Sequence, residues 1–482
     1  MVPAKQIVLG ADAGTHGIRI LAIDLSDFQV VAQSSSIYTR TIGENIQELD
    51  ADNLEQAFFT ALQNLVLPPD ADIVGLGITH QRGTVIPVDI NCHPLASALC
   101  DSDERTLDAD GYQKSGVDPD AYYHRSGCPV VSFNGFSKIL WCRKHWPEIY
   151  KQAAAWLSPQ DYILSRLAGR LVMTEGSALR TGILDINCRR FYGDLLPDAP
   201  FLKENCIPLG ASCGNVSPDI AVAWPMLLNT KLFAVPGDQP AAVLGTGVVD
   251  GVAMAMNLGT TFVASVLSKR PMIDPHGLIT TEVLPFGFYS PEFGTGVGGQ
   301  FMDFLTKLLY GKTPEDAETW AELDRAAAQI PLGAEGLRIV PLLWQVTSAG
   351  VDGCIHGLRP YHTREHMLRA AYEGLAYEAR ISIEKLTGTK QSPSRLLVFG
   401  GLSSCDCFLQ ILASVTGKTV EASGQKQASA FGAGLTCAIG LDRICTMGDI
   451  LPRIPMPRCR FQPEREEQIK YEQEYQRYRA QR

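Results

Sequence analysis

The sequence predicts an α/β protein in two halves, and three observations lead there. Strand-like and helix-like segments alternate along the chain. Its 482 residues exceed one ordinary core, since domains cluster near ~100–200 residues. A strand–Gly-Thr turn–strand design also occurs twice, about 245 positions apart.

Ile7 to Leu9 is a short apolar run, Gly10 to Gly17 a glycine-bearing turn, and Ile18 to Leu25 a second alternating run, together a hairpin. Leu54, Ala57, Phe58, Ala61, Leu62 and Leu65 have helical spacing, and Ile73 to Ile78 reads as a strand. Helices are expected over Phe136 to Cys142 and Asp161 to Leu167, and a loop over Pro208 to Pro218. Leu232 to Ala234 is a strand leading through Gly237-Asp238-Gln239 into a helical Ala241 to Leu244. Val252 to Met256, the turn Asn257 to Thr261, and Phe262 to Leu267 form the second hairpin. Chance could produce two such hairpins; a duplication would set two anion-holding turns facing each other across a cleft. The later half continues with a helix over His366 to Leu386, a strand over Arg395 to Phe399 running into Gly400-Gly401, and helices over Cys407 to Val415 and Ala428 to Ile439. A terminal amphipathic helix carries Ile469, Tyr471, Tyr475 and Tyr478.

Hydrophobic residues make up 45% of the chain and charged residues 20%, which excludes wholesale disorder. Forty-two basic against fifty-two acidic residues give a net charge of −10, unsuited to general polyanion binding, so no nucleic-acid partner is expected. The N-terminus lacks the apolar stretch of a signal peptide. The most apolar window, Pro240 to Leu267, contains Asp250, Asn257 and four glycines, and reads as buried strands rather than a membrane span. Thirteen cysteines without a Cys-x-x-Cys pair fit free thiols in the cytoplasm, with no structural metal.

Two segments could carry chemistry. Asp12-Ala13-Gly14-Thr15 follows a buried strand: a tight turn of backbone N–H groups can hold an anion, and the adjacent carboxylate can meet Mg²⁺. The same residues also suit an ordinary hairpin. Asp238 ends a strand at a helix start, placed for a general base on a hydroxyl or, equally, for a helix cap. Neither a Walker-type phosphate loop nor a Gly-x-Gly-x-x-Gly dinucleotide fingerprint is present.

Taken in order, the motifs resemble the FGGY carbohydrate kinases of the actin/hexokinase/Hsp70 superfamily. They are Gly10 to Thr15, Gly77 to Thr84, Gly237-Asp238-Gln239 with Ala241-Ala242, and Asn257 to Thr261. Gly357-Leu358, His362-Thr363-Arg364, Glu373 to Tyr377, Phe399-Gly400-Gly401 and Ala430 to Gly434 follow. The resemblance implies two ribonuclease-H-like domains, 1–247 for the acceptor and the base and 248–482 for the nucleotide. It implies ATP-dependent phosphorylation of a sugar or polyol with Mg²⁺, Asp238 as base and Asp12 beside the metal. Gly14, Thr15, His16, Arg19, Gly259, Thr260, Thr261, Gly298, Gly400, Gly401 and Asp406 then belong to the nucleotide side. Arg82, Gly83, Asp101, Asp103, Arg105 and Gln239 belong to the acceptor side. A homodimer is compatible with the family.

Departures blur the acceptor. His80-Gln81-Arg82 resembles glycerol kinases, whose next residue is Glu, whereas Gly83 fits the Met-His-Gly of xylulose kinases. Asp101 stands where both usually carry Trp, and either offers a carboxylate to extra hydroxyls or points to solvent. Glu175 replaces a usual Asp, and Asp406 or Cys405 an Asn beside adenine. A pentulose is the leading acceptor, with glycerol-kinase-like, autoinducer-kinase-like and other polyol activities as alternatives. A non-catalytic nucleotide-binding regulator on the same scaffold is the rival of another class.

Overall fold

A computed structural model of the chain describes residues 5–107, 117–191, 206–311, 313, 317–342, 353–388 and 392–482. Met1 to Ala4, the start of the N-terminal stretch read above, lie outside the described residues. Two compact units divide the chain. The first joins Met1–Val249 to Ser268–Pro291 and Gln427–Ile454; the second joins Asp250–Leu267, Glu292–Lys426 and Pro455–Arg482. No helix among the described residues is long and apolar enough to cross a membrane.

The first unit is built on a six-stranded sheet in the order Ser212–Asn215, Lys231–Phe233, Ala71–His80, Lys5–Ala13, Gly17–Asp24, Val30–Ile37. Lys5–Ala13 pairs antiparallel with Gly17–Asp24 and parallel with Ala71–His80. That double pairing carries the strand past the apolar run to Ala13, so Gly10 to Ala13 are strand and only Gly14 to His16 turn. Gly10 is required by packing: a Cβ there would stand 2.0 Å from the Ala430 carbonyl oxygen. The expected loop at 208–218 holds the short edge strand Ser212–Asn215.

Helix Ala51–Gln63 buries Leu54, Ala57, Phe58, Ala61 and Leu62 along one face. Asp50 caps it, accepting from the Asp52 N–H at 2.9 Å, a bond whose loss costs about 1 kcal/mol. Helices Asp238–Gly245 and Ala428–Gly440 cross through small residues. A Cβ on Gly432 would lie 1.8 Å from the Ala241 oxygen and one on Gly245 2.1 Å from the Ala428 oxygen, so each helix needs its glycine where the other's backbone passes. This contact ties Gln427–Ile454 into the first unit.

In the second unit Ala253–Leu258 pairs antiparallel with Phe262–Ser265, which pairs antiparallel with the Glu292–Gly294 end of the next strand. On its other side Ala253–Leu258 runs parallel to Arg395–Phe399, that strand parallel to Thr419–Ala422, and the last antiparallel to Cys459–Phe461. Read outward from the hairpin, the sequence of parallel and antiparallel pairings equals that of the first unit. The echo in the sequence is therefore a repeated sheet. The 24-residue helix Arg364–Thr387 packs behind it. Terminal helix Arg465–Gln481 buries Tyr471, Tyr475 and Tyr478 at 1% exposure each, while Ile469 stays 59% exposed and off that face. The tyrosine hydroxyls reach Glu373, Glu384 and Glu378, so the face is apolar with polar ends.

Candidate active site

Asp12 sits near the end of the first strand, opposite Arg19 across the hairpin and Thr79 on the parallel side. Its Oδ1 is buried without a hydrogen-bond partner among the described residues. Burial, then the negative charge of Asp238, pushes the Asp12 carboxyl up to about 7 against the pull of Arg19. The hairpin closes with the Gly14 N–H on the Gly17 oxygen at 3.0 Å, and the Tyr38 hydroxyl donates to the Gly14 oxygen. Thr15, His16 and Arg19 are exposed. Gly14 differs from Gly10: its missing Cβ would meet nothing nearer than 3.8 Å. Protein packing does not demand this glycine, whereas a closely approaching ligand would.

Asp238 opens its helix behind Gly237, which stands at the N-cap. Its Oδ1 accepts from Arg82 Nε at 2.8 Å and from the Gln239 N–H at 2.7 Å. Among the described residues Oδ2 has no protein partner, and the side chain is 36% exposed. The approach of Arg82 depends on Gly237, where a Cβ would lie 2.5 Å from Arg82 Cγ. Arg82 Nη1 donates to Glu282 Oε1 at 2.7 Å, and Arg180 pairs with the same oxygen. Gln239 is buried at the second position of the helix. His80, behind Arg82, is buried with its Nδ1 3.1 Å from Gln160 Nε2. Burial and the nearby Arg82 pull its imidazole down to about 3, so it is neutral.

Gly83 has φ +87°, and a Cβ there would overlap the Phe133 oxygen at 1.8 Å. No side chain fits, which removes the Glu of the glycerol kinase pattern on steric grounds. Beside it Asp101 is mostly buried, with Oδ1 3.9 Å from Arg40 Nη1. Arg40 also donates to Gln81 Oε1, and its Nε is buried without a partner among the described residues. Burial raises the Asp101 carboxyl above the usual range, with Arg40 and Lys138 opposing. Lys138 Nζ donates to the Asp101 backbone oxygen at 3.2 Å, and burial draws its ammonium down to about 8. Asp103 is fully buried, accepting from the Gln47 N–H at 2.9 Å and from Arg105 Nη2 at 2.7 Å. Arg105 continues to Glu48 at 2.7 Å and lies 4.9 Å over the Trp141 ring. The expected acceptor residues thus divide: Arg82, Gly83 and Asp101 neighbour one another, while Asp103 and Arg105 form a brace. Glu175 is held by Arg189 and the Leu209 N–H, also a structural arrangement.

In the second unit the turn Gly259–Thr261 accepts bonds from the start of helix Gly299–Tyr310: Gly299 N–H to the Gly259 oxygen at 2.8 Å and Gln300 N–H to the Thr260 oxygen at 3.1 Å. Gly298 touches the same turn, where a Cβ would be 2.8 Å from the Thr260 oxygen. Gly400, at φ +94°, abuts Asn257, whose Oδ1 would be 2.7 Å from a Cβ; Gly401 faces open space. Gly259, Thr260, Thr261, Gly298 and Gly400 therefore form one cluster, with Gly401 at its edge. Asp406 starts the next helix and pairs with Arg458 at 2.8 Å.

Sequence reasoning missed Glu282, Arg180, Arg40 and Lys138. One signal was available: Glu282 is the lone charge between Ile279 and Leu284, in a strand-like Ile-Thr-Thr-Glu-Val-Leu run, and buried charges are rare unless paired. Arg180 and Arg40 have no comparable local mark.

The xylulose kinase of Bacillus subtilis (strain 168) is 25% identical over 450 residues, 90% of this chain and 88% of that protein. The solved xylulose kinase from Rhodospirillum rubrum matches with a TM-score of 0.87 at 24% identity, covering 98% of both chains. Plasmodium falciparum glycerol kinase with ADP reaches 0.85 at 19% identity, covering 99% of this chain and 98% of that one. These structures share a two-domain, actin/hexokinase-like fold. Residues 7–245 match the N-terminal domain of the FGGY family of carbohydrate kinases and residues 254–441 its C-terminal domain. This chain belongs to the FGGY family of carbohydrate kinases, phosphotransferases that use ATP.

Proposed function

We propose that this kinase phosphorylates a pentulose, with xylulose the leading acceptor, and that Asp238 is the general base. The carrying observation is the Asp238 carboxylate: Arg82 and the Gln239 N–H fix one oxygen and leave the other without a partner among the described residues. The acceptor hydroxyl gives its proton to Oδ2 as its oxygen bonds to the γ-phosphorus. The bond from that phosphorus to the bridging oxygen breaks, and ADP leaves. Such proton removal supplies roughly 10²–10⁴-fold, with positioning and charge neutralisation supplying the rest.

The described residues contain no group of three or more His, Cys, Asp or Glu side chains able to hold a metal. Asp12, with its orphaned buried oxygen, suits the other mode, in which Mg²⁺ takes one or two carboxylates along with phosphate oxygens. The chemistry an ion supplies there is neutralisation of phosphate charge. Gly14 and Thr15, and separately Gly259 and Thr260, are assigned to the phosphates; Gly400, Gly401 and Asp406 are assigned to the adenosine. The pentulose assignment is supported by xylulose kinase relatives and by Gly83, whose backbone excludes the glycerol-kinase Glu. Thirteen cysteines, with no disulfide among the described residues, support a cytoplasmic location.

A coupled ADP-release assay over glycerol, pentuloses, hexuloses, pentitols and aldonates tests the substrate. The highest kcat/KM is expected for a pentulose. A higher value for glycerol would overturn the acceptor assignment, and no acceptor-stimulated ADP release would overturn the whole proposal.

A further inference from the structure

Glu282 lies outside every recognised motif, yet it is a buried charge linked to Asp238 through Arg82. Its side chain is 2% exposed, and Arg82 and Arg180 converge on its Oε1 with side chains 15% and 5% exposed. Arg180 is anchored at its far side, where Nη1 donates to Cys128 Sγ at 3.1 Å. The backbone around Glu282 is pinned within the same unit. Thr281 N–H donates to the Gly127 oxygen at 2.8 Å, and the Tyr123 hydroxyl to the Ile279 oxygen at 2.7 Å. Arg189 Nη1 donates to the Leu284 oxygen at 3.1 Å.

Along these contacts Arg180, Glu282, Arg82 and Asp238 alternate in sign. Removing one member of a buried pair is costly, because the partner charge stays without compensation. A guanidinium bridging two carboxylates is also held in one plane, since its fork geometry matches both. We infer that Glu282 is a positioning residue for phosphoryl transfer, setting Arg82 so that its Nε fixes Asp238 Oδ1 and leaves Oδ2 for the acceptor hydroxyl. This rests on the reading of Asp238 as base.

A double-mutant cycle on the full-length enzyme tests it, with kcat and both KM values measured for Glu282→Gln, Arg82→Met and the pair. Glu282→Gln is expected to lower kcat about tenfold or more with the ATP KM within about twofold, because the effect reaches only the base. In the Arg82→Met background the same change is expected to cost less than about twofold, because the route to Asp238 is already broken. Equal losses in both backgrounds would show that Glu282 merely supports the fold and would overturn the inference, as would unchanged kcat in Glu282→Gln. If Glu282→Gln does not fold, Glu282→Asp takes its place: it keeps the charge but is too short to hold both arginines. A kcat loss confined to the Arg82 background supports the inference, and an equal loss in both contradicts it. Asp238→Asn is assayed alongside. Turnover surviving in that variant defeats the base assignment, whereas a dead Asp238→Asn with an additive cycle defeats only the role of Glu282.

Discussion

The two glycine hairpins have matching sheets around them but different charges within them. In the first, Asp12 lies opposite Arg19; at the corresponding place in the second, Asn257 lies opposite Val263. The Asp12 carboxyl is crowded by burial and by Asp238, whereas Asn257 is a neutral amide. The glycines differ too. A Cβ on Gly14 would have no neighbour within 3.8 Å, but one on Gly259 would sit 2.9 Å from Asn257 Oδ1. In the proposed site a repeated backbone would supply two turns for phosphates, and the acid present in only one of them would let that turn hold a cation as well. The contrast separates a glycine with open space at its Cβ position from one packed against the protein.

Exchanging the acid and the amide should break the comparison most strongly. Asp12→Asn is expected to lower kcat by about 10²-fold or more through lost charge neutralisation. Asn257→Asp should leave kcat near normal but raise the ATP KM about tenfold by placing a second negative charge beside the phosphates. Similar small effects from both variants in steady-state assays would make the asymmetry idle.

Alanine at the two glycines is the next test. Gly14→Ala is expected to raise the ATP KM about tenfold while Tm stays within about 1 °C, since its Cβ has room until nucleotide arrives. Gly259→Ala should lower Tm by about 2–4 °C, because the added methyl collides inside the protein. Thermal melts without ligand, paired with ATP titrations, separate the two.

The smallest effect is a pH dependence. Burial, then the charge of Asp238, pushes the folded Asp12 carboxyl up to about 7 from its ordinary 3.8. A pKa raised by folding gives stability that is complete below about pH 4 and lost as pH rises through about 7. Ligand-free Asp12→Asn lacks that loss, so its Tm advantage over the parent should grow by about 1–2 °C from pH 5 to pH 8. A difference that shrinks with pH would contradict the crowded carboxyl.

Much of this architecture was legible because its signals are local. Strand Arg395–Phe399, helix Ala428–Gly440 and both hairpins follow from periodicity and glycine placement. The Gly-Asp-Gln element likewise marked Asp238, where a strand gives way to a helix. Long-range partners were not legible. Glu282 meets Arg82 across 200 positions, and Asp101 meets Arg40 across 61, pairings that leave no spacing pattern in either segment. Nor did Gln427–Ile454 announce that it packs with the first unit: Gly432 and Gly434 showed that something passes close, without showing what. Ile469 was grouped with the tyrosines by approximate spacing, but the positions set by Tyr471, Tyr475 and Tyr478 leave it in solvent. Asp103 and Arg105 carried a family resemblance, yet only the structure shows the pair bracing each other.

The most direct test of the account is single-turnover phosphorylation by Asp238→Asn, with saturating ATP and the best acceptor, in protein shown by calorimetry to bind ATP as the parent does. The account predicts a phosphoryl-transfer rate lowered by roughly 10²–10⁴-fold with nucleotide affinity unchanged. Transfer within about threefold of the parent rate would contradict it, because Asp238 would then take no proton in the step.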